Sequence, residues 1–210
     1  MDKIADILLQ IGAVSFRFDP PYTYTSGMLS PIYVDNRLII SYPKERTAII
    51  DGYVDIITKT IGIDSFDYIS ATATAAIPQG AWIADRLNKP MVFVRSAKKG
   101  HGKGNQIEGF LKKNSRVVII EDHLSTAKSC IENAQAIREA GCTVSFVVAT
   151  TTYNTDLAKK AFRENNLTPL VLTTITDILN IAVSKKIIQN YEQIEVENWL
   201  RNPSEWGKKL

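Results

Sequence analysis

The sequence predicts an α/β fold in which a parallel sheet carries helices on both faces. Three observations point there. Val117-Val118-Ile119-Ile120 is an unbroken run of β-favouring apolar residues, the pattern of a strand buried on both faces. Runs of this kind alternate with segments of helical spacing from Tyr68 to Leu172, and such alternation implies parallel strands joined by helical crossovers. The helical segments also carry their own punctuation: Pro43 and Pro78 open two of them, while Gly12 and Gly141 close two others.

Taken in order, Ile4, Ile7, Leu8 and Ile11 recur at helical spacing behind Asp2, which predicts a helix over 2–11. Residues 16–21 are extended and broken by Pro20 and Pro21, and 31–40 reads as a strand or two with a kink. A helix follows from Pro43 to about Thr60, with Ile49, Tyr53, Ile56 and Ile57 inward. Strands are expected at 68–71, 91–94, near 106–111, and at 117–121, 144–149 and 170–172. Helices are expected at 78–87, from the turn after Asp122 to Ala140, at 156–164, and over most of the tail from Thr176.

Composition narrows the class. The 210 residues are 45% hydrophobic and 22% charged with a net charge of +3, which suits one ordinary globular domain over 1–210. No repeat, linker or low-complexity segment divides the chain. Cys130 and Cys142 lie in no zinc-ligand pattern and read as small apolar fillers in a reducing, cytoplasmic setting. No secretory signal is expected, and no apolar run is long enough to span a bilayer, so no membrane partner is expected. The cationic stretch from Arg95 to Lys103 lacks interleaved aromatics, which argues against nucleic acid.

Four stretches carry chemistry. Glu121-Asp122 follows the buried strand directly and precedes the hydroxyl-rich turn Leu124-Ser125-Thr126-Ala127-Lys128-Ser129 and a helix. Ligands of open α/β sheets bind beyond the carboxyl ends of the strands. A helix N-terminus there suits a phosphate, and carboxylates one step upstream suit ribose hydroxyls or Mg²⁺. The alternative is a solvated strand end. Arg95-Ser96-Ala97-Lys98-Lys99-Gly100-His101-Gly102-Lys103-Gly104-Asn105 is cationic and glycine-rich, as a lid over a diphosphate would be, or else a solvated loop. Ser70 to Pro78 is a small-residue turn, suited either to close ligand approach or to helix–sheet packing. Thr25 to Arg37 mixes turn formers with a terminal arginine.

In this order the four stretches resemble segments of the orotate phosphoribosyltransferases: SGMLSPIYVDNR, ATATAAIP, RSAKKGHGKGNQIEG and VVIIEDHLSTAKS. The resemblance covers nearly the whole chain. It implies a type I phosphoribosyltransferase fold, a five-stranded parallel sheet flanked by helices with a small hood mainly from residues 1–40. It also implies a homodimer in which each lid reaches the neighbouring site. The implied reaction joins orotate to 5-phosphoribosyl 1-diphosphate, giving orotidine 5′-phosphate and diphosphate, with Mg²⁺ held mainly by the substrate and water.

Residue by residue, the resemblance assigns Glu121 and Asp122 to the ribose hydroxyls, and Ser125, Thr126, Ala127, Lys128 and Ser129 to the 5-phosphate. It assigns Ala71, Thr72 and Ala73 to the diphosphate from below, with Arg95, Lys99, His101 and Lys103 in the lid. Lys99, Arg95 and His101 would act on the leaving group, Lys99 or His101 as a proton donor. Tyr33 and Val34 would cover the base, with Ser125 nearby. Thr25, Ala75 and Ser96 stand where many members have Lys, and Tyr153 where many have an Arg that pairs with the orotate carboxylate. Arg37 is expected to supply that charge. Ala71, Ala76 and Ala127 stand where the family pattern has Gly, and a Cβ is costly wherever φ is positive. Lys128 is expected either to add a phosphate contact or to point to solvent. A transferase for another base, or a binding protein that has lost efficient chemistry, are the competing readings.

Overall fold

The computed structural model describes residues 2–24, 27–95 and 106–206. The chain opens with α1 (Lys3–Gln10), whose N-terminus is capped by Asp2 accepting from the Ile4 and Ala5 amides. Four short strands follow: β1 (Val14–Phe16), β2 (Tyr22–Thr23), β3 (Leu29–Ser30) and β4 (Ile32–Val34). Then come α2 (Pro43–Ile56), β5 (Tyr68–Thr72), α3 (Ile77–Leu87), β6 (Met91–Val94) and β7 (Ile107–Glu108). The second half runs β8 (Arg116–Leu124), α4 (Lys128–Glu139), β9 (Thr143–Thr152), α5 (Asp156–Glu164), β10 (Thr168–Thr174), α6 (Ile175–Ser184), α7 (Asn190–Arg201) and α8 (Pro203–Trp206).

The main sheet has six strands in the order β10-β9-β8-β5-β6-β7. Five are parallel, as expected, and β7 adds a short antiparallel edge against β6. The strand order reverses between β5 and β8: the chain leaves β5 toward β6 and returns to β8 on the other side. In open α/β sheets this reversal opens a crevice at the strands' carboxyl ends, where ligands bind. The buried face toward α1, α2, α3 and α6 includes Leu8, Ile49, Tyr53, Ile83, Ile120 and Leu179. The other face packs Ile119, Cys130, Ile137, Val147 and Phe162 under α4 and α5.

A second layer covers one end of this body. The strands β1 and β4 pair antiparallel, as do β2 and β3. The chain's end supports them: the Trp199 indole on α7 donates to the Leu29 carbonyl at 2.9 Å, and its ring meets that of Tyr24 edge-on.

Several boundaries differ from the expectation for identifiable reasons. The strand expected over 31–40 stops at Val34, and a 3-10 helix runs from Asn36 to Ser41. Asp35 starts it by accepting from the Arg37 amide. The helix after Pro43 is α-helical only to Ile56 and ends in a π-helical turn, Ile57–Ile61, before Gly62 at φ 87°. Strands β8 and β9 run three residues beyond the expected ends. Their last residues, mostly polar, still pair with each other, His123 with Thr151 and Leu124 with Thr152.

Candidate active site

Glu121 and Asp122 therefore lie inside the last turn of pairing in β8, not after it. Glu121 is buried. Its Oε2 accepts from the Ser129 hydroxyl at 2.7 Å, and its Oε1 from the Asp122 amide at 3.1 Å. The Tyr53 hydroxyl, from α2, donates to the Glu121 carbonyl at 2.8 Å. Burial, and then the charge of Asp122, push the Glu121 carboxyl above the usual carboxylate range. Asp122 is raised as well, chiefly by loss of water. Two crowded carboxyls of this kind favour whatever brings positive charge or hydroxyl donors to them.

The turn after β8 delivers the N-terminus of α4. Ala127 is its capping residue, buried, at φ 66° and ψ 1°. This is the left-handed region, which costs an L-residue about 1–2 kcal/mol. The Ala127 carbonyl accepts from the Ile131 amide and from the Cys130 thiol, both at 3.1 Å. Ser129 commits its hydroxyl proton to Glu121, so its offer to an anion is its backbone N–H. Lys128 resolves toward solvent: it is exposed, and its ammonium lies 3.9 Å from Glu132.

The other two alanines are not strained. Ala76 has φ −85°, and Ala71 lies within β5. The reason Ala71 fits is Gly80 on α3. A Cβ built on Gly80 would come within 2.8 Å of the Ala71 methyl, so the methyl occupies space that the glycine leaves open.

Beside this turn, β5 ends in Ala71 and Thr72 and leads through Ala73 to α3. The Ala73 amide donates to the Val94 carbonyl at 2.9 Å, and the peptide between Ala73 and Thr74 is cis. Arg95, at the end of β6, exchanges hydrogen bonds with Gln106 and lies 3.4 Å from Glu108. Thr72, Arg95, Ser129 and Glu132 line one small cleft, so the expected phosphate, diphosphate and lid-base segments converge. Lys99, His101 and Lys103 lie outside the described residues, as does Thr25.

On the base side, Tyr33 and Val34 sit on β4, with Tyr33 partly exposed. Arg37 makes two bonds to Asp35, at 2.6 and 2.8 Å, and one to the Tyr33 hydroxyl at 3.5 Å. The Arg37 guanidinium holds the Asp35 carboxyl below its ordinary value. What ties this segment to the acidic pair is Asn36. It is buried and donates to the Asp122 carbonyl at 2.7 Å and to the Thr151 hydroxyl at 2.8 Å.

Sequence reasoning passed over Asn36, Tyr53, Thr151 and His123. His123 Nδ1 lies 2.8 Å from the Thr151 hydroxyl, and its ring packs edge-on against Tyr153 at 4.3 Å. Burial drives its pKa down to about 4, so the ring is neutral. Tyr153 in turn reaches the Tyr24 hydroxyl at 3.3 Å. For two of them a signal was available: Asn36 and His123 each sit beside a predicted site residue, Asn36 before Arg37 and His123 after Asp122.

Comparison with known proteins agrees with this geometry. A family model described as the phosphoribosyl transferase domain matches residues 44–177. The orotate phosphoribosyltransferase of Coxiella burnetii is 44% identical over 204 residues, spanning 97% of both chains. That of Bacillus pumilus is 45% identical over 202 residues, spanning 96% of this chain and 94% of its own. Among solved structures, the orotate phosphoribosyltransferase of Aeropyrum pernix superposes with a TM-score of 0.75 at 25% identity, covering 84% of this chain and 96% of that one. Leishmania donovani UMP synthase gives 0.79 at 27%, covering 94% of this chain and 41% of that one. With a family model over most of its length and curated relatives matching it nearly end to end, the chain belongs to the orotate phosphoribosyltransferase family.

Proposed function

We propose that this protein transfers the phosphoribosyl group of 5-phosphoribosyl 1-diphosphate to orotate, releasing diphosphate and forming orotidine 5′-phosphate. The observation that carries the proposal is the bond from Ser129 to Glu121. It joins an acidic pair suited to ribose hydroxyls to a helix N-terminus suited to the 5-phosphate, within one turn of chain.

In this reading, the first amides of α4 hold the 5-phosphate with Ser125, Thr126, Ala127 and Lys128 around them. Glu121 and Asp122 accept from the ribose hydroxyls. Ala71, Thr72 and Ala73 support the diphosphate, while Arg95, Lys99 and Lys103 neutralise it. As the C1–oxygen bond to diphosphate breaks, positive charge grows on the ribose. The crowded carboxylates favour that charge, so they stabilise the transition state more than the ground state. Lys99 or His101 protonates the leaving diphosphate. Tyr33 and Val34 cover orotate, and Arg37 faces its carboxylate. Arg37→Ala is expected to weaken orotate binding, and unchanged affinity would remove Arg37 from that role.

Mg²⁺ would be held mainly by the diphosphate substrate and water: among the described residues no group of three or more His, Cys, Asp or Glu side chains could hold it, and Glu121 and Asp122 supply hard oxygens on the ribose side. When bound, the ion supplies charge neutralisation to the diphosphate. We further propose a homodimer, as the family resemblance implies, and a cytoplasmic setting, which the two free cysteines suit. Among the described residues no helix is long and apolar enough to cross a membrane.

One observation favours a second reading. The left-handed Ala127 places a methyl in the phosphate turn, which suits a protein that binds the diphosphate substrate but turns it over slowly. A panel of orotate and purine bases, each with 5-phosphoribosyl 1-diphosphate and Mg²⁺, separates the cases. Orotate-specific turnover is expected. Purine turnover without orotate turnover would overturn the base assignment, and binding without turnover of any base would establish the second reading.

A further inference from the structure

Asn133 lies on α4 with no exposed surface, and its side chain spans the two substrate turns. The Ser70 hydroxyl, inside β5 and also fully buried, donates to Asn133 Oδ1 at 2.9 Å. Asn133 Nδ2 donates to the Thr72 hydroxyl oxygen at 3.1 Å. The order of these bonds matters. Ser70 satisfies the amide oxygen, so the amide nitrogen faces Thr72 and can only donate. Thr72 Oγ1 thereby accepts, and its own proton is left for another acceptor. Among the described residues Thr72 Oγ1 makes no other hydrogen bond. Thr72 borders the cleft that Arg95 and Ser129 also line.

We propose that Asn133 is a positioning residue for the diphosphate end of the substrate: it fixes the Thr72 hydroxyl as a hydrogen-bond donor to an anionic phosphate oxygen. Because Asn133 sits on the helix whose N-terminus takes the 5-phosphate, it also holds the two phosphate-binding turns at a set separation. The reversed amide would also pair with both hydroxyls but would draw the Thr72 proton inward, so the orientation seen is the one that offers that proton to a phosphate oxygen. The inference rests on the proposed transferase reading.

The test measures KM for 5-phosphoribosyl 1-diphosphate and for orotate, and product inhibition by inorganic diphosphate, in wild type, Asn133→Leu, Thr72→Val and the double variant. Loss of a hydrogen bond to a charged group should weaken the diphosphate end about tenfold. The expected result is that rise in KM for 5-phosphoribosyl 1-diphosphate and in the inhibition constant for diphosphate, with KM for orotate changed less than about twofold. The double variant should match Thr72→Val, because the hydroxyl that Asn133 orients is already gone. Thr72→Val is nearly isosteric and tests the idea even if Asn133→Leu does not fold. Unchanged diphosphate inhibition in Thr72→Val, equal shifts for both substrates, or additive effects in the double variant would each overturn the proposal. Absence of turnover in the wild type would instead overturn the transferase reading itself.

Discussion

The Ser129 hydroxyl donates to Glu121 Oε2 at 2.7 Å, from the first turn of α4 to the last part of β8. That bond lowers the proton affinity of a carboxyl that burial otherwise raises. Ser129→Ala removes the one side-chain donor to Glu121 among the described residues. The acid limb of the pH profile of kcat/KM for 5-phosphoribosyl 1-diphosphate should then move to higher pH. An unmoved limb would mean that Glu121 titration does not limit binding.

Ala127 carries the backbone strain of the phosphate turn at φ 66°. Ala127→Gly removes a Cβ penalty of about 1–2 kcal/mol but adds chain entropy to the unfolded state, at a cost of about 0.5–1 kcal/mol. The expected balance is a gain of about 0.5–1 kcal/mol, measured by urea unfolding, together with tighter binding of 5-phosphoribosyl 1-diphosphate. Ala76→Gly, at an ordinary right-handed φ, should lose stability instead.

Gly80 and Ala71 share one space between α3 and β5. Gly80→Ala would bring two methyls to 2.8 Å and crowd Met91 at 3.1 Å. Overpacking of this kind costs about 1–3 kcal/mol. Ala71→Gly in the same chain should recover most of that loss. Failure to recover would place the clash at Met91.

His123 gives stability a definite pH dependence. Burial holds its folded pKa at about 4, below the ordinary imidazole value of 6.5. Between those values the unfolded chain binds more protons than the folded one, so stability falls as pH drops through that window. His123→Asn keeps a nitrogen near Thr151 and removes the titration. Its stability should fall less than that of wild type between pH 6.5 and 4, by thermal unfolding.

The sheet was legible because β8 carries an unbroken apolar run from Val117 to Ile120 and several helices carry Pro or Gly at their ends. Ile119 and Ile120 face opposite layers, as a doubly covered strand requires. The ends of β8 and β9 were not legible, since His123 and Thr151 are polar and pair only because the neighbouring strand is there. The same blindness hid Asn36 and Asn133. Each is a buried amide whose partners lie 61 to 115 residues away in the chain, and no local pattern encodes such contacts. The consequence of the three alanines was also invisible locally: backbone angle separates Ala127 from Ala76, and the remote Gly80 accommodates Ala71.

The central claim is that the acidic pair at the end of β8 serves phosphoribosyl transfer to orotate. The most direct measurement is the consumption of orotate, followed by absorbance with 5-phosphoribosyl 1-diphosphate and Mg²⁺, by wild type and by Asp122→Asn. Wild type should turn over, and Asp122→Asn should lose about 10²–10³ in kcat, the scale set by removing one preorganised electrostatic group. Wild-type kcat/KM in Asp122→Asn would contradict the account.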